Sequence, residues 1–272
     1  MILIALLGSM TVVALWELCV PRRRREFPAL RRRVGNITFC LVNMAIAGFF
    51  VPSAAVRAPL AALFGIRLPV WPIAAGAASL VAGFLLLDLI RYGVHRCEHK
   101  VRLLWRLHAL HHSDPDVDVT TAVRHHPLEY LLTAAVYWGV VVAFDIPLTA
   151  VALHGAAAFA ATAFQHGNIR LPEQLERWLQ PMLMTTDLHR VHHSVARQHA
   201  DSNYGAVLSV WDRIFGTYVA ISRNRQDEIV FGVADLPRSD CVKPSTMLLT
   251  PWLIGRARPA GTGAGKQMIL GD

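Results

Sequence analysis

The sequence predicts an all-α integral membrane protein, a bundle of apolar helices carrying a cytoplasmic cap of histidine-rich helices. Three observations predict it. The 272 residues are 54% hydrophobic and only 17% charged, against about 25% charged in an average soluble domain. Mean hydropathy is +0.37, and the apolar residues gather in long runs. Thirteen histidines crowd into a few short boxes between and after those runs. This composition excludes a disordered chain and an ordinary soluble enzyme.

The first run, Ile2–Val20, is about long enough to span a bilayer. It lacks the basic start and small-residue cleavage site of a secretory signal, so it reads as a retained anchor. Arg22, Arg23, Arg24, Arg25, Arg31, Arg32 and Arg33 follow, and they carry much of the net charge of +8. Their place between two apolar runs fits a cytoplasmic membrane loop better than a DNA-reading face, so no nucleic acid partner is expected. The second run, Ile37–Phe64, is interrupted by Pro52, Arg57 and Pro59 and reads as one span plus a re-entrant piece. Val70–Ile90 is the third. Leu128–Phe144 and Leu148–Phe164, separated by Asp145 and Pro147, read as a tight helical hairpin. With the arginine loop inside, the segments Arg91–Pro127 and His166–Asp272 both fall on the cytoplasmic side.

Shorter elements complete the order. Pro172 and Pro181 bracket an amphipathic helix, Glu173–Leu179, with Trp178 suited to a membrane interface. Trp211, Phe215 and Tyr218 fall at helical spacing and are expected to pack the histidine helices against the membrane part, with Asp212 and Arg213 as a pair. From Gly255 the chain is rich in Gly, Ala and Arg and reads as a disordered end. Cys19, Cys40, Cys97 and Cys241 have no C-x-x-C spacing, which argues against a disulfide scaffold or a zinc ribbon. "GTGAGK" lacks the Ser or Thr of a phosphate loop. The run Asp114, Asp116, Asp118 lacks the Gly and the Glu of a calcium loop.

The histidines carry the chemistry. His95 and His99 form H-x-x-x-H. His108, His111 and His112 form H-x-x-H-H, and His189, His192 and His193 repeat that box. Residues at i, i+3 and i+4 share one helix face, so each box projects two or three imidazoles to one side. Imidazole suits Fe, Zn, Cu and Ni. At this histidine content one H-x-x-H-H arises by chance only about 0.03 times in such a chain. Eight nitrogens are enough for two ions with an open position each. His126 and His166, where the chain enters and leaves the hairpin, are expected to complete the coordination. His125 points away from His126 and is not expected to ligate. His154, inside the hairpin, reads as a packing or cavity residue, and His199 as a surface residue. Asp88, Glu98, Asp114, Asp116, Asp118, Asp187 and Asn168 lie near the boxes as candidate acceptors of imidazole N–H bonds. No catalytic residue is expected beyond the ligands, and no H-E-x-x-H motif provides a general base.

The order of the three boxes, with "HHSDPDVDVTTAVRHHPLE", "FQHGNIRLP", "DLHRVHHS" and "NYGAVLSVWDRIFGTY", resembles the fatty acid hydroxylase / sterol desaturase superfamily of membrane di-iron enzymes. The resemblance spans Val81 to Val219. It implies two iron ions, O2 as co-substrate, oxidation of an unactivated C–H bond in a lipid taken from the bilayer, and electrons from a separate reductase. On that reading the chain divides into an N-terminal membrane anchor region (1–67), a hydroxylase-like catalytic domain (68–222) and a C-terminal cytoplasmic tail (223–272). The reading of another class is a non-enzymatic membrane protein that holds zinc in a closed site.

Overall fold

In the computed structural model, residues 2–50 and 76–255 are described. The core of the second apolar run with Pro52, Arg57 and Pro59, the start of the third, and the end of the chain beyond Gly255 lie outside the described residues. The described chain is helical, and no strand occurs among these residues beyond two isolated bridges, Leu183 with Leu208 and Ser194 with Phe231. Four long helices build the bundle with one more at its N-terminal side: α1 (Ile2–Cys19), α2 (Ala29–Phe50), α3 (Ala77–Lys100), α5 (Pro127–Ala143) and α6 (Leu148–His166). The cap consists of α4 (Arg102–His112), α7 (Glu173–Leu179), α8 (Thr186–His192), α9 (Arg197–Ala200), α10 (Val210–Ile214) and α11 (Pro244–Leu253), with 3-10 turns at Val119–Val123 and Arg223–Glu228.

Helices α3 and α6 are long and apolar enough to cross a membrane, with peak mean hydropathies of 1.6 and 1.3. At 1.5 Å per residue the 24 residues of α3 exceed the roughly 30 Å hydrocarbon layer. Only 28% of each apolar window is buried within the protein. The outer faces carry Leu7, Val12, Leu15, Leu18, Leu41 and Val81, all more than half exposed. An exposed apolar surface of that kind marks a face that meets a membrane or another protein. Inside, Leu87, Val141, Ile146, Ala150 and Val151 form the core between α3, α5 and α6. The backbones of α3 and α6 come close at Gly83, where a Cβ would stand 3.0 Å from Ala150 and Ile146. The α5–α6 turn is made by Asp145 at φ 47° followed by Pro147, as the hairpin reading requires.

Most of the arginine loop is bound to acids of the cap region and to Glu17 of α1. Arg32 is fully buried between Asp114 (2.9 Å) and Asp118. Arg33 reaches Asp118 at 2.9 Å and Glu17 at 3.4 Å, and Arg25 reaches Glu17 at 3.5 Å. Arg22 pairs with Asp187, and Arg23 donates to the carbonyl of Ile229 at 3.0 Å. Burial alone would raise the Asp118 carboxyl, but the Arg32 guanidinium holds it down at about 2. The triplet Asp114, Asp116, Asp118 therefore anchors the α1–α2 turn and does not reach an imidazole. The loop nonetheless lies at the histidine end of the bundle.

The end of the chain, read as a tail from residue 223, packs against the cap as far as Ile254. Phe231 packs with Val117, Val191 and Ile229, Met247 packs with Phe39 and Leu110, and Ile254 packs with Ala109 and Val233. Arg124, fully buried, donates to the carbonyl of Cys241 at 2.7 Å. Apolar residues spaced along 229–254 supply the burial that the composition of the last residues obscures. Asp212 and Arg213 do not pair. Asp212 accepts the backbone N–H groups of Tyr204 (2.7 Å) and Gly205 (2.9 Å), while Arg213 lies over the Tyr218 ring. Replacing one partner of a buried ion pair strands the others without compensation. Arg32→Gln is therefore expected to lose about 3–5 kcal/mol of stability, read as a lowered Tm in detergent; an unchanged Tm contradicts the anchoring role.

Candidate metal centre

The centre is assembled from four helix ends. Helix α3 carries His95 and His99 on adjacent turns. An extended residue, Val101 (φ −95°, ψ 115°), breaks the helix and turns the chain back as α4, which carries His108, His111 and His112. His166 is the last residue of α6. Helix α8 carries His189 and His192, with His193 as its C-cap. The side chain of Thr185 caps its start by accepting the N–H of Leu188.

Nine imidazoles converge into two adjacent groups. His95, His99, His108, His112 and His192 form one; His111, His166, His189 and His193 form the other. In the second group Nε2 of His166 lies 3.1 Å from that of His111, 3.1 Å from that of His193 and 2.9 Å from that of His189. His193 and His189 are 3.1 Å apart. Four nitrogens around a tetrahedral ion at about 2.1 Å stand about 3.4 Å apart, so this set surrounds an ion-sized centre. The two groups abut: the rings of His112 and His193 stack at 4.5 Å.

The fit to metal ions rests on stranded polar atoms. Nε2 of His95, His108 and His192 is buried and has no hydrogen-bond partner. The far nitrogen of each is occupied: His95 Nδ1 lies 2.9 Å from the carbonyl of Tyr204, His192 Nδ1 2.7 Å from that of Ser202, and His108 Nδ1 2.8 Å from Glu129. Since a carbonyl or a carboxylate only accepts, those Nδ1 atoms carry the protons and the Nε2 atoms face the centre of the group. A buried lone pair without a partner costs free energy, and a cation satisfies it. Burial, followed by neighbouring imidazoles, holds His111, His112, His189 and His193 well below their ordinary pKa of 6.5, and His192 falls to about 3. Neutral imidazole is the form that binds metal. His108 differs: burial pushes it down, but the Glu129 carboxylate outweighs burial and raises it.

Nine of the ten histidines expected as ligands thus meet. His126 does not. Its Nδ1 accepts the N–H of Leu128 to cap α5, and its Nε2 lies 3.3 Å from the carbonyl of Leu248. His125 faces the centre instead, its ring stacked on His111 at 4.5 Å and 11°. The two neighbours do point apart, but Pro127 as the first residue of α5 makes His126 the cap and turns it outward. Sequence reasoning missed Glu129. Its signal was the cap spacing His126-x-x-Glu129, in which Glu129 returns to the backbone N–H of His126 at 3.3 Å. Of the acceptors read from sequence, Glu98 comes 3.6 Å from His108. Asp88 accepts from Val207, Leu208 and the Trp211 indole and lies 3.5 Å from His154, which is buried in the bundle. Asp187 and Asn168 serve the arginine loop.

Residues 80–217 match the family described as "Fatty acid hydroxylase". The chain is 32% identical to alkylglycerol monooxygenase of Xenopus tropicalis over 150 residues, 55% of this chain and 32% of that protein. It is 30% identical to the ornithine lipid hydroxylase of Rhizobium tropici over 148 residues, 54% of this chain and 43% of that protein. It is 31% identical to a very-long-chain aldehyde decarbonylase of Oryza sativa over 163 residues, 58% of this chain and 60% of that protein. The chain thus spans about a third to three fifths of these relatives. No solved structure matches it.

The buried imidazoles set a pH dependence for the metal-free protein. The unfolded chain takes up protons on them near pH 6.5, whereas the folded chain resists until well below. Stability from these five groups is complete above about pH 6.5 and is lost as the pH falls below it, the His192 share down to about 3. His108 runs the other way, one group against five. Chelator-treated protein is expected to show a Tm that drops steadily from pH 7 to pH 4.5; a flat Tm over that range contradicts burial of neutral imidazoles.

Proposed function

The chain belongs to the fatty acid hydroxylase family, and from that premise we propose that it is a membrane-bound di-iron oxygenase that oxidises a lipid or sterol-like substrate. The observation that carries the proposal is the meeting of nine imidazoles, eight of them buried, in two groups, with the unpartnered Nε2 atoms of His95, His108 and His192 facing inward. His95, His99, His108, His112 and His192 would hold one ion, and His111, His166, His189 and His193 the other. Iron bound there supplies the activation of O2. Hydroxylation balances as one C–H bond and one O2 giving one C–OH and one water, with two electrons and two protons delivered by a separate reductase. Desaturation would use the same oxidant on two neighbouring C–H bonds.

The residues of this chain do the rest. Tyr204, Ser202 and Thr162, through their carbonyls, fix His95, His192 and His166 as Nδ1–H tautomers. The cap closes the centre from solvent, since eight of the nine histidines are less than a tenth exposed. A dry site strengthens electrostatic interactions within it and protects a strong oxidant from side reactions. The apolar bundle brings an alkyl chain to the histidine end directly from hydrocarbon. Hydroxylation or desaturation then depends on where the C–H sits relative to the oxidant.

The cap is assigned to the cytoplasmic side. Although most of the loop arginines end in ion pairs, those pairs form only once the cap has folded. During insertion they are free charges, and free Lys and Arg keep a loop inside. The zinc reading has its best support in the four-histidine group, whose ligand number alone would close a tetrahedron. The five-histidine group does not fit a closed tetrahedral site.

Elemental analysis of anaerobically purified protein is expected to find two irons, with O2 uptake dependent on reductant and membrane lipid. His111→Ala is expected to empty the four-histidine site and His192→Ala the five-histidine site, each abolishing lipid oxidation in protein that remains membrane-inserted. His126→Ala is expected to keep both ions. Full occupancy in either of the first two variants removes that residue from the ligand set, and native zinc without O2 uptake overturns the oxygenase.

A further inference from the structure

The groups that hold the far nitrogens of the imidazoles are not alike. His95, His192 and His166 rest on backbone carbonyls at 2.9, 2.7 and 2.8 Å. His108 rests on a carboxylate: its Nδ1 is 2.8 Å from Glu129 Oε1, with Glu98 Oε2 at 3.6 Å. The same Oε1 lies 2.8 Å from Nδ1 of His125. Glu129 is 4% exposed, and its other oxygen accepts the N–H of His126 at 3.3 Å. Among the described residues, no carboxylate lies within hydrogen-bond distance of His111, His166, His189 or His193. Among the described residues, the five-histidine group therefore has a buried carboxylate hydrogen-bonded to one of its imidazoles, and the four-histidine group does not.

We propose that Glu129 is a positioning residue that makes the two metal sites unequal, so that the five-histidine site binds a divalent ion more tightly. The inference rests on the reading of both groups as metal sites. A carboxylate on Nδ1–H locks His108 in the tautomer whose Nε2 lone pair faces the group. It also draws the proton toward itself, which makes Nε2 a stronger donor. Its charge, held at low dielectric, further favours a cation at that site. His125 is the second donor to the same oxygen and steadies the carboxylate from the far side. Loss of such an outer partner typically weakens metal binding 10–100-fold.

Glu129 also closes the cap of α5, so the test must separate charge from cap. Glu129→Gln does so, because an amide oxygen still accepts the His126 N–H while the charge is gone. Full-length protein in detergent, stripped with chelator, is titrated anaerobically with Co(II), and the visible absorbance reports each site. His111→Ala and His192→Ala provide the single-site references. In the unsubstituted protein the five-histidine site is expected to fill first. In Glu129→Gln that step weakens about 10–100-fold and its absorption shifts, while the four-histidine step stays unchanged. Glu129→Asp restores part of the loss.

Unchanged affinity and spectrum in Glu129→Gln overturn the proposal, as does equal weakening at both sites. If Glu129→Gln does not fold by circular dichroism, Glu129→Asp carries the test alone. Its shorter carboxylate retracts from His108, and weakening must again be confined to the five-histidine site. Failure of the unsubstituted protein to bind Co(II) at all would instead sink the reading of the groups as metal sites.

Discussion

Nine imidazoles are packed into one dry volume, and the rest of the architecture answers to that constraint. A buried imidazole has one N–H and one lone pair, and each needs a partner. Here the N–H groups of His95, His192 and His166 are given to Tyr204, Ser202 and Thr162. The lone pairs are left facing one another, an arrangement that neutral nitrogens alone do not stabilise. The loops that supply the carbonyls must therefore be held firmly. Asp212 binds the N–H groups of Tyr204 and Gly205, and Asn203 takes the N–H of Val219 while donating to the carbonyls of Leu188 and Val219. Asp212 and Asn203 are thus spent on holding backbone.

The same logic explains the buried ions between the α1–α2 turn and the cap. Arg32, Asp114 and Asp118 are removed from water at a cost that their mutual attraction only partly offsets. What they contribute is definition of one arrangement. Asn36 and Thr121 complete the network by donating to Asp114 at 3.0 and 2.7 Å. Apolar contact alone would let a helix pair surrounded by lipid slide against the cap, because hydrocarbon outside is as favourable as hydrocarbon inside. A charged lock at one end fixes the register.

The parts legible in sequence are those whose geometry is local. The three histidine boxes are readable because i, i+3 and i+4 share a face whatever the helix packs against. His166 is readable from its place at the end of an apolar run, and Glu173–Leu179 from its two flanking prolines. The parts that were not legible depend on distant chain. Arginines of the loop carry no mark of Asp114 or Asp118, some 80 residues away. The choice between His125 and His126 turns on which of two neighbours becomes a helix cap. The segment 229–254 is short of long apolar runs, yet Phe231 and Met247 are fully buried because the cap surrounds them.

Asp88 ties the membrane part to the chemistry. A carboxylate in an apolar helix invites a functional reading, because its cost in hydrocarbon is high. Here the cost is met by three donors, the N–H groups of Val207 and Leu208 on the loop that follows Tyr204 and the indole of Trp211 at the start of α10. Seven residues later on α3, about 10 Å along the axis, His95 gives its Nδ1–H to Tyr204 itself. One rigid helix thus grips the same loop at two points, once through an acid in the bundle and once through an imidazole of the five-histidine group. The second grip sets the direction of the His95 lone pair. A shift of α3 against the loop at the level of Asp88 must therefore also turn His95, so the bundle and the cap that gathers the imidazoles move as one body.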